Sequence, residues 1–260
     1  MKRKRFTDMQ ERYYDYMLRK TREVNATKYI FDVDGTLTPS REKINREFKD
    51  WFVKFCMYNN VYLVTGSDYP KTEEQLGPII CKSVNKIYNC SGNEVRERGK
   101  IIKTDTWDPD KNLLEYLYSV LDNNTYSMKT GNHVEHRPSS INFSIVGRNA
   151  NKVERSLYKV HDERESERVK IAEEINNKFP NVQAVVGGET GLDIFPRGKD
   201  KAQIIHDFGP QDKLIFFGDK IVPNGNDYSL ALEIANSSGD THHVKDWKHT
   251  WKILQELSEV

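Results

Sequence analysis

The sequence predicts an α/β fold: a parallel sheet interrupted partway by an inserted α+β segment. Three observations carry this expectation. Short apolar runs at Tyr29–Phe31, Val61–Val64 and Lys213–Phe217 each stop abruptly at Asp, Thr, Ser or Gly. Apolar residues at helical spacing follow the first of them. Between residues 133 and 147 the pattern becomes a polar–apolar alternation. Buried strands alternating with helices make a parallel sheet, and such sheets bind ligands beyond the carboxyl ends of their strands.

Taken in order, Tyr29-Ile30-Phe31 reads as a buried strand running into Asp32-Val-Asp-Gly-Thr. Phe48, Trp51, Phe52 and Phe55 recur as on one face of a helix. Val61–Val64 is a second buried strand, closed by Thr-Gly-Ser-Asp, then a helix near Pro70–Leu76 and a strand near Lys86–Tyr88. Ser140, Ile141, Asn142, Phe143, Ser144 and Ile145 alternate as in an antiparallel strand with one wet face. The charged stretch Val153–Phe179 reads as helix with a solvated face, and Gln183–Val186 as a strand. Lys213–Phe217 closes the pattern at Gly218-Asp219. The expected organisation is a core of residues 29–93 and 190–260, an α+β insertion over 94–189, and a separate segment 1–28. That segment holds nine Lys/Arg against four Asp/Glu, with Tyr13, Tyr14, Met17 and Leu18 near helical spacing.

Composition narrows the function. The 260 residues carry a net charge of +1, which argues against coating nucleic acid or an anionic membrane. No stretch approaches the roughly 18 apolar residues of a membrane span. The basic N-terminus has no apolar run behind it, so it does not read as a signal peptide. Three cysteines, none in a CxxC, fit a reduced, cytoplasmic protein.

Asp32 and Asp34 are the sharpest chemical signal. A strand end plus a helix cap would explain one carboxylate beside an apolar strand, not two. One could attack phosphorus while the other exchanges the proton of the leaving or attacking oxygen. Two anions facing a phosphate need a cation, and a hard, oxygen-liganded ion such as Mg²⁺ suits them. Thr65, Gly66 and Ser67 close the second strand and offer donors to phosphate oxygens. Lys201 is placed to neutralise the phosphate, with Lys199 as the fallback. Asp219 would hold the metal, with Asn226 and Asp227 orienting its waters.

These motifs in this order resemble the haloacid dehalogenase (HAD) superfamily, with an α+β cap inserted after the second core motif into a Rossmann-like parallel-sheet core. More closely, the chain is similar to the eukaryotic-type phosphomannomutases from Tyr29 to about Asp227, beyond which the likeness fades. Phe31-Asp-Val-Asp-Gly-Thr-Leu-Thr with Arg41, Lys43 and Ile44 carries it, as do Gly66-Ser-Asp and Glu74-Gln-Leu-Gly. In the cap, Arg137, Asn142, Ser144, Gly147 and Arg148 match in register, followed by Glu154-Arg155, Tyr158 and Asp162. Gly187-Gly188, Asp193-Ile-Phe-Pro, Asp200-Lys201, Gly218-Asp-Lys and Gly225-Asn-Asp complete the set.

The resemblance implies a mutase that moves phosphate between the 1- and 6-positions of a hexose, primed by a hexose 1,6-bisphosphate. Asp32 would be the aspartyl-phosphate nucleophile and Asp34 the general acid/base, with Mg²⁺ held by Asp32, the Asp34 carbonyl and Asp219. Arg137 and Arg148 of the cap, with Arg41 of the core, would grip the non-reacting phosphate. Asp193 would accept from sugar hydroxyls, with Asn142 and Ser144 in the same pocket. A small sugar phosphate is the implied partner, a homodimer through the cap an open one. Three departures bear on this. The family arginine seven places before Arg137 is Thr130, with Lys129 as a stand-in; a serine is Gly191; a methionine is Ser140. A loosened phosphate grip would let water reach the phosphoenzyme, so a Mg²⁺-dependent phosphatase of sugar phosphates or related small phosphate esters stays open beside the mutase. A third reading makes the site vestigial and residues 1–28 a docking arm.

Overall fold

The structure, a computed structural model, describes residues 27–137 and 139–258. The expected N-terminal helix therefore lies outside the described residues. The chain opens with β1 (Thr27–Phe31), then α1 (Arg46–Tyr58), β2 (Asn60–Val64), α2 (Tyr69–Leu76), α3 (Pro78–Ser83) and β3 (Lys86–Asn89). These follow the apolar runs that predict them. Asn45 caps α1 by accepting from the Glu47 and Phe48 amides, and Asp68 caps α2 by accepting from Lys71 N.

The hairpin β4 (Glu94–Glu97) and β5 (Lys100–Thr104) follows, then α4 (Lys111–Asn123), β6 (Val134–Arg137) and β7 (Ser140–Phe143). The charged stretch is two helices, α5 (Lys152–Glu165) and α6 (Glu167–Lys178). Ser166 breaks it in a left-handed conformation, and the Asp162 carboxylate accepts from the Arg168 amide across the break. Next come β8 (Val182–Gly187), β9 (Gly191–Pro196), a 3-10 turn over Lys201–Asp207, β10 (Lys213–Gly218), α7 (Tyr228–Asn236), β11 (Asp240–His243) and α8 (Trp247–Ser258).

The core sheet runs β11-β10-β1-β2-β3-β4-β5. Its first five strands are parallel, and β4 and β5 add antiparallel. Neighbouring residues of one strand point to opposite faces, so Phe31 and Phe217 pack with Phe48, Phe52 and Phe55 on one side. Ile30 and Phe216 pack with Tyr88, Leu230 and Ile234 on the other. The cap is a separate antiparallel sheet, β6-β7-β9-β8, whose core includes Leu117, Ile141, Phe143, Tyr158, Ile175 and Ile194.

Sheet membership moves the boundaries read from the sequence. β4 and β5 pair onto β3, so residues 94–104 belong to the core sheet rather than the insertion. β9 pairs with both β7 and β8, so the cap sheet continues to Pro196 rather than ending near 189. Among the described residues no helix is long and apolar enough to cross a membrane.

Candidate active site

The carboxyl ends of β1, β2 and β10 meet beneath the cap, and the polar residues that stop those strands line a common cavity. The Asp32 amide donates to the Phe217 carbonyl at 2.9 Å, which fixes its backbone between strands. The chain then turns at Gly35, whose φ is +84°. A Cβ there would lie 2.5 Å from Asp219 Oδ2, so only glycine brings the loop so close to that carboxylate.

Lys201 sits at the centre of the floor, 1% exposed, with its ammonium 2.6 Å from Asp32 Oδ1 and 2.6 Å from Asp227 Oδ1. Burial works against its charge, but the two carboxylates outweigh that and hold its pKa above the ordinary lysine value. The lysine thus braces the two carboxylates. Among the described residues Asp32 Oδ2 accepts from the Thr36 hydroxyl alone, at 3.4 Å, and the residue lines the cavity. Asp34 Oδ1 accepts from the Arg41 amide at 2.7 Å and from Gln75 Nε2 at 3.0 Å, and Ser67 Oγ lies 3.5 Å from Oδ2. The Thr65 hydroxyl accepts from Ser67 N and also faces the cavity.

The donor set fits a divalent cation. Carboxylate oxygens of Asp32, Asp219 and Asp227 lie within 4.8 Å of one another. Burial, then the Asp227 charge, pushes the Asp219 carboxyl up to about 7. Burial also raises Asp32, with Lys201 opposing and Asp227 and Asp219 adding to the shift. Carboxylates gathered this closely around the Lys201 ammonium, with Lys220 3.9 Å from Asp219, call for further positive charge. Asn226 Oδ1 is buried without a hydrogen-bond partner, an oxygen still free to bind. Asp227 is 0% exposed and spends its second oxygen on the Lys220 amide. It is therefore placed behind Asp32 and Asp219 rather than beside an ion.

The cap forms the roof. Arg137 donates to the Gly66 carbonyl at 2.6 Å, to Asp193 Oδ1 at 3.3 Å and to Glu135. Burial opposes its charge, but Asp193 and Glu135 more than compensate. Arg148 pairs with Glu135 at 3.0 Å, and Asn142 Nδ2 donates to Asp193 Oδ1 at 2.7 Å. Arg41 reaches up from the core toward the Arg148 carbonyl. Nitrogens of Arg41, Arg148 and Arg155 are buried without partners.

Two expected residues stand elsewhere. Lys129 caps the end of α4, donating to the carbonyls of Leu121 and Asn124, and does not line the cavity. Ser144 spends its hydroxyl on the Thr190 carbonyl and so holds the β8–β9 turn. The departure at 130 also loses its force: the Thr130 hydroxyl bonds the Val146 carbonyl, and the residue does not line the cavity. At Gly191 a Cβ would lie 2.7 Å from Asn142 Nδ2, so the asparagine amide occupies the space a serine would need.

The structure also brings in residues the sequence reading left without a role. Arg155, on the first turns of α5, lines the cavity and pairs with Glu189. Lys71, Ser40 and Gln75 join from the core. Arg155 stood among the quoted motif residues, but in a charged helix nothing marks one arginine as inward.

Similarity to known proteins agrees with this geometry. The model of the eukaryotic phosphomannomutase family matches residues 48–260. The chain belongs to the eukaryotic phosphomannomutase family. That match continues past Asp227, where likeness in motifs ends. A phosphomannomutase of Galdieria sulphuraria is 31% identical over 248 residues, 92% of this chain and 98% of that one. Among solved structures, an N-terminally truncated, IMP-bound IMP-nucleotidase of Plasmodium falciparum superposes with a TM-score of 0.60 at 15% identity. It covers 94% of this chain and 70% of its own. A haloacid dehalogenase-like hydrolase from Bacteroides thetaiotaomicron gives 0.54 at 11%, covering 89% and 99%. Those two likenesses are of fold. The chain is accordingly an enzyme of phosphoryl transfer on a HAD-type core, in a family that acts on small sugar phosphates.

Proposed function

We propose that the chain interconverts hexose 1- and 6-phosphates through a phosphorylated Asp32. The observation that supports this most is the second phosphate site. Arg41, Arg137, Arg148 and Arg155 converge on one cavity that also opens on Asp32 and Asp34. A hydrolase of simple phosphate esters needs the floor alone. Four guanidinium groups across from it suit a substrate that presents a phosphate at each end.

In this reading Asp32 Oδ2 attacks the phosphorus of the bound ester, forming an O–P bond as the P–O bond to the sugar breaks. Asp34 delivers a proton to the departing sugar oxygen, and its two N–H donors hold it in place. Mg²⁺ on Asp32, the Asp34 carbonyl and Asp219, with Asn226 and Asp227 behind, would supply the positive charge that offsets the phosphoryl oxygens. In the complementary half-reaction, Asp34 takes the proton of the free hydroxyl of a bound hexose monophosphate as that oxygen attacks the phosphorus on Asp32 and the P–O bond to Asp32 breaks; the bisphosphate so formed turns round and gives up its other phosphate to Asp32. Throughout, the roof arginines hold the phosphate that is not moving, and Asp193 orients sugar hydroxyls. A hexose 1,6-bisphosphate would load Asp32 for the first cycle. Three buried free thiols support work in a reducing compartment such as the cytoplasm.

The test is ³¹P NMR of the protein with Mg²⁺ and mannose 1-phosphate, with and without catalytic hexose 1,6-bisphosphate. Bisphosphate-dependent conversion to the 6-phosphate is expected, and Asp32→Asn should abolish it. Release of inorganic phosphate in its place would make the chain a phosphatase.

A further inference from the structure

The cavity is charged in two halves. On its floor, Asp32 and Asp227 pair with the buried ammonium of Lys201, Asp219 lies 3.9 Å from the Lys220 ammonium, and Asp34 faces the same cavity. The roof reverses the sign: Arg41, Lys71, Arg137, Arg148 and Arg155 face the carboxylates of Glu135, Glu189 and Asp193. Those three carboxylates are all spent on cap arginines. Glu135 pairs with Arg137 and Arg148, Asp193 with Arg137, and Glu189 with Arg155. Five cations against three carboxylates leave an excess of two, the charge of a phosphomonoester dianion near neutral pH.

The two roof cations that form no ion pair among the described residues both come from the core: Arg41 and Lys71. Lys71 stands on the first turn of α2, its amide tied to Asp68 Oδ1 at 3.1 Å. Its half-buried side chain lines the cavity and, among the described residues, meets no hydrogen-bond acceptor. Burial, and then the Arg41 charge, lower its pKa, outweighing the opposing carboxylates of Asp34 and Glu135.

We propose that Lys71 is a specificity-determining residue that, with Arg41, supplies the two uncompensated charges for the non-transferring phosphate of the substrate. This rests on the hexose-phosphate reading above. The cap arginines then shape the site, while these core cations set its net charge.

The test compares Lys71→Met and Lys71→Arg with the parent enzyme on mannose 1-phosphate and on p-nitrophenyl phosphate, whose one phosphate must sit over Asp32. Lys71→Met should raise KM for mannose 1-phosphate about 10- to 100-fold, as expected for losing a charge-assisted contact. The rise for the aryl phosphate should be at least about tenfold smaller. Lys71→Arg should restore most of the loss, and thermal stabilisation by hexose 1,6-bisphosphate should weaken in Lys71→Met in step with KM. Equal effects on both substrates, or an unaltered KM for mannose 1-phosphate, would overturn the assignment. A parent enzyme that turns over the aryl phosphate but no hexose phosphate would overturn the mutase reading and this inference with it, a pattern separable from failure of Lys71 alone.

Discussion

Lys201→Met isolates the electrostatic brace beneath the nucleophile. The native ammonium touches Asp32 and Asp227 at 2.6 Å each and is 1% exposed. Methionine keeps much of the volume but leaves both carboxylates buried without their cation. Removing one partner of a buried ion pair costs about 3–5 kcal/mol. In a chain of this size each kcal/mol is worth about 2–4 °C, so Tm should fall by on the order of 10 °C. The fall should depend on pH with a defined sign. Asp32 is already raised by burial, and losing Lys201 removes the main influence that lowers it. A carboxyl with a raised folded pKa keeps its proton where the unfolded chain, near pKa 3.9, has released it. Stability is then lost as pH rises, so the deficit should be largest at pH 8 and shrink toward pH 5. Thermal unfolding followed by circular dichroism in EDTA at pH 5, 7 and 8 measures this. A variant melting with its parent at pH 8, or a deficit that grows on acidification, would refute the reasoning.

The remaining predictions concern the metal, the cap and its arginines. Millimolar Mg²⁺ should raise Tm more at pH 8 than at pH 6, because the Asp219 carboxyl, pushed up to about 7, carries a competing proton at the lower pH; equal shifts in thermal melts would count against the cluster as the metal site. Arg168→Leu should lower the urea midpoint, with a cost of about 3–5 kcal/mol. Its guanidinium pairs with Asp162 at 2.8 Å and reaches the carbonyls of Gly187, Gly188 and Gly191, so an unmoved midpoint would deny that it supports the β8–β9 turn. Arg148→Ala should raise KM for a hexose phosphate much more than for an aryl phosphate; equal effects in steady-state assays would mean the cap does not read the second phosphate.

What was legible in the sequence follows from how each residue is placed. Asp32, Thr65 and Asp219 sit at strand ends, where a buried apolar run must stop and polar atoms must collect, so short-range pattern reveals them. The insertion was legible as a change of period, but its edges were not. β4 carries its apolar and charged residues as any hairpin does, and only its pairing with β3 assigns it to the core. Lys201 was identified as central, but its clamp between Asp32 and Asp227 was not, since no local signal shows which carboxylates a distant lysine will meet. Lys129 and Arg155 failed in opposite directions for one reason. Both are charged residues in polar stretches, and which of them points inward depends on how the cap settles on the core.

That settling bears on the choice between transfer and hydrolysis. The cavity is only about 40 Å³, well below the roughly 300 Å³ at which small-molecule pockets begin. Several contacts join cap to core around it: one is Arg137 to the Gly66 carbonyl at 2.6 Å, and a second is the cap amide of Val186 to the core carbonyl of Asn224 at 3.1 Å, with Arg41 to the Arg148 carbonyl and Lys152 to Glu42 beside them. The second lies two residues from Asn226 in the loop that runs on to Asp227, so closure of the cap also fixes the backbone beside the acidic floor. A mutase needs that coupling more than a phosphatase does. On the proposed mutase reading, a closed roof would exclude water from a phosphorylated Asp32, and an opened one would let a bisphosphate turn end for end. In either orientation the non-reacting phosphate meets the same cationic roof. Such a roof discriminates by charge rather than by the position of the sugar carbon, which a reaction that exchanges two positions requires.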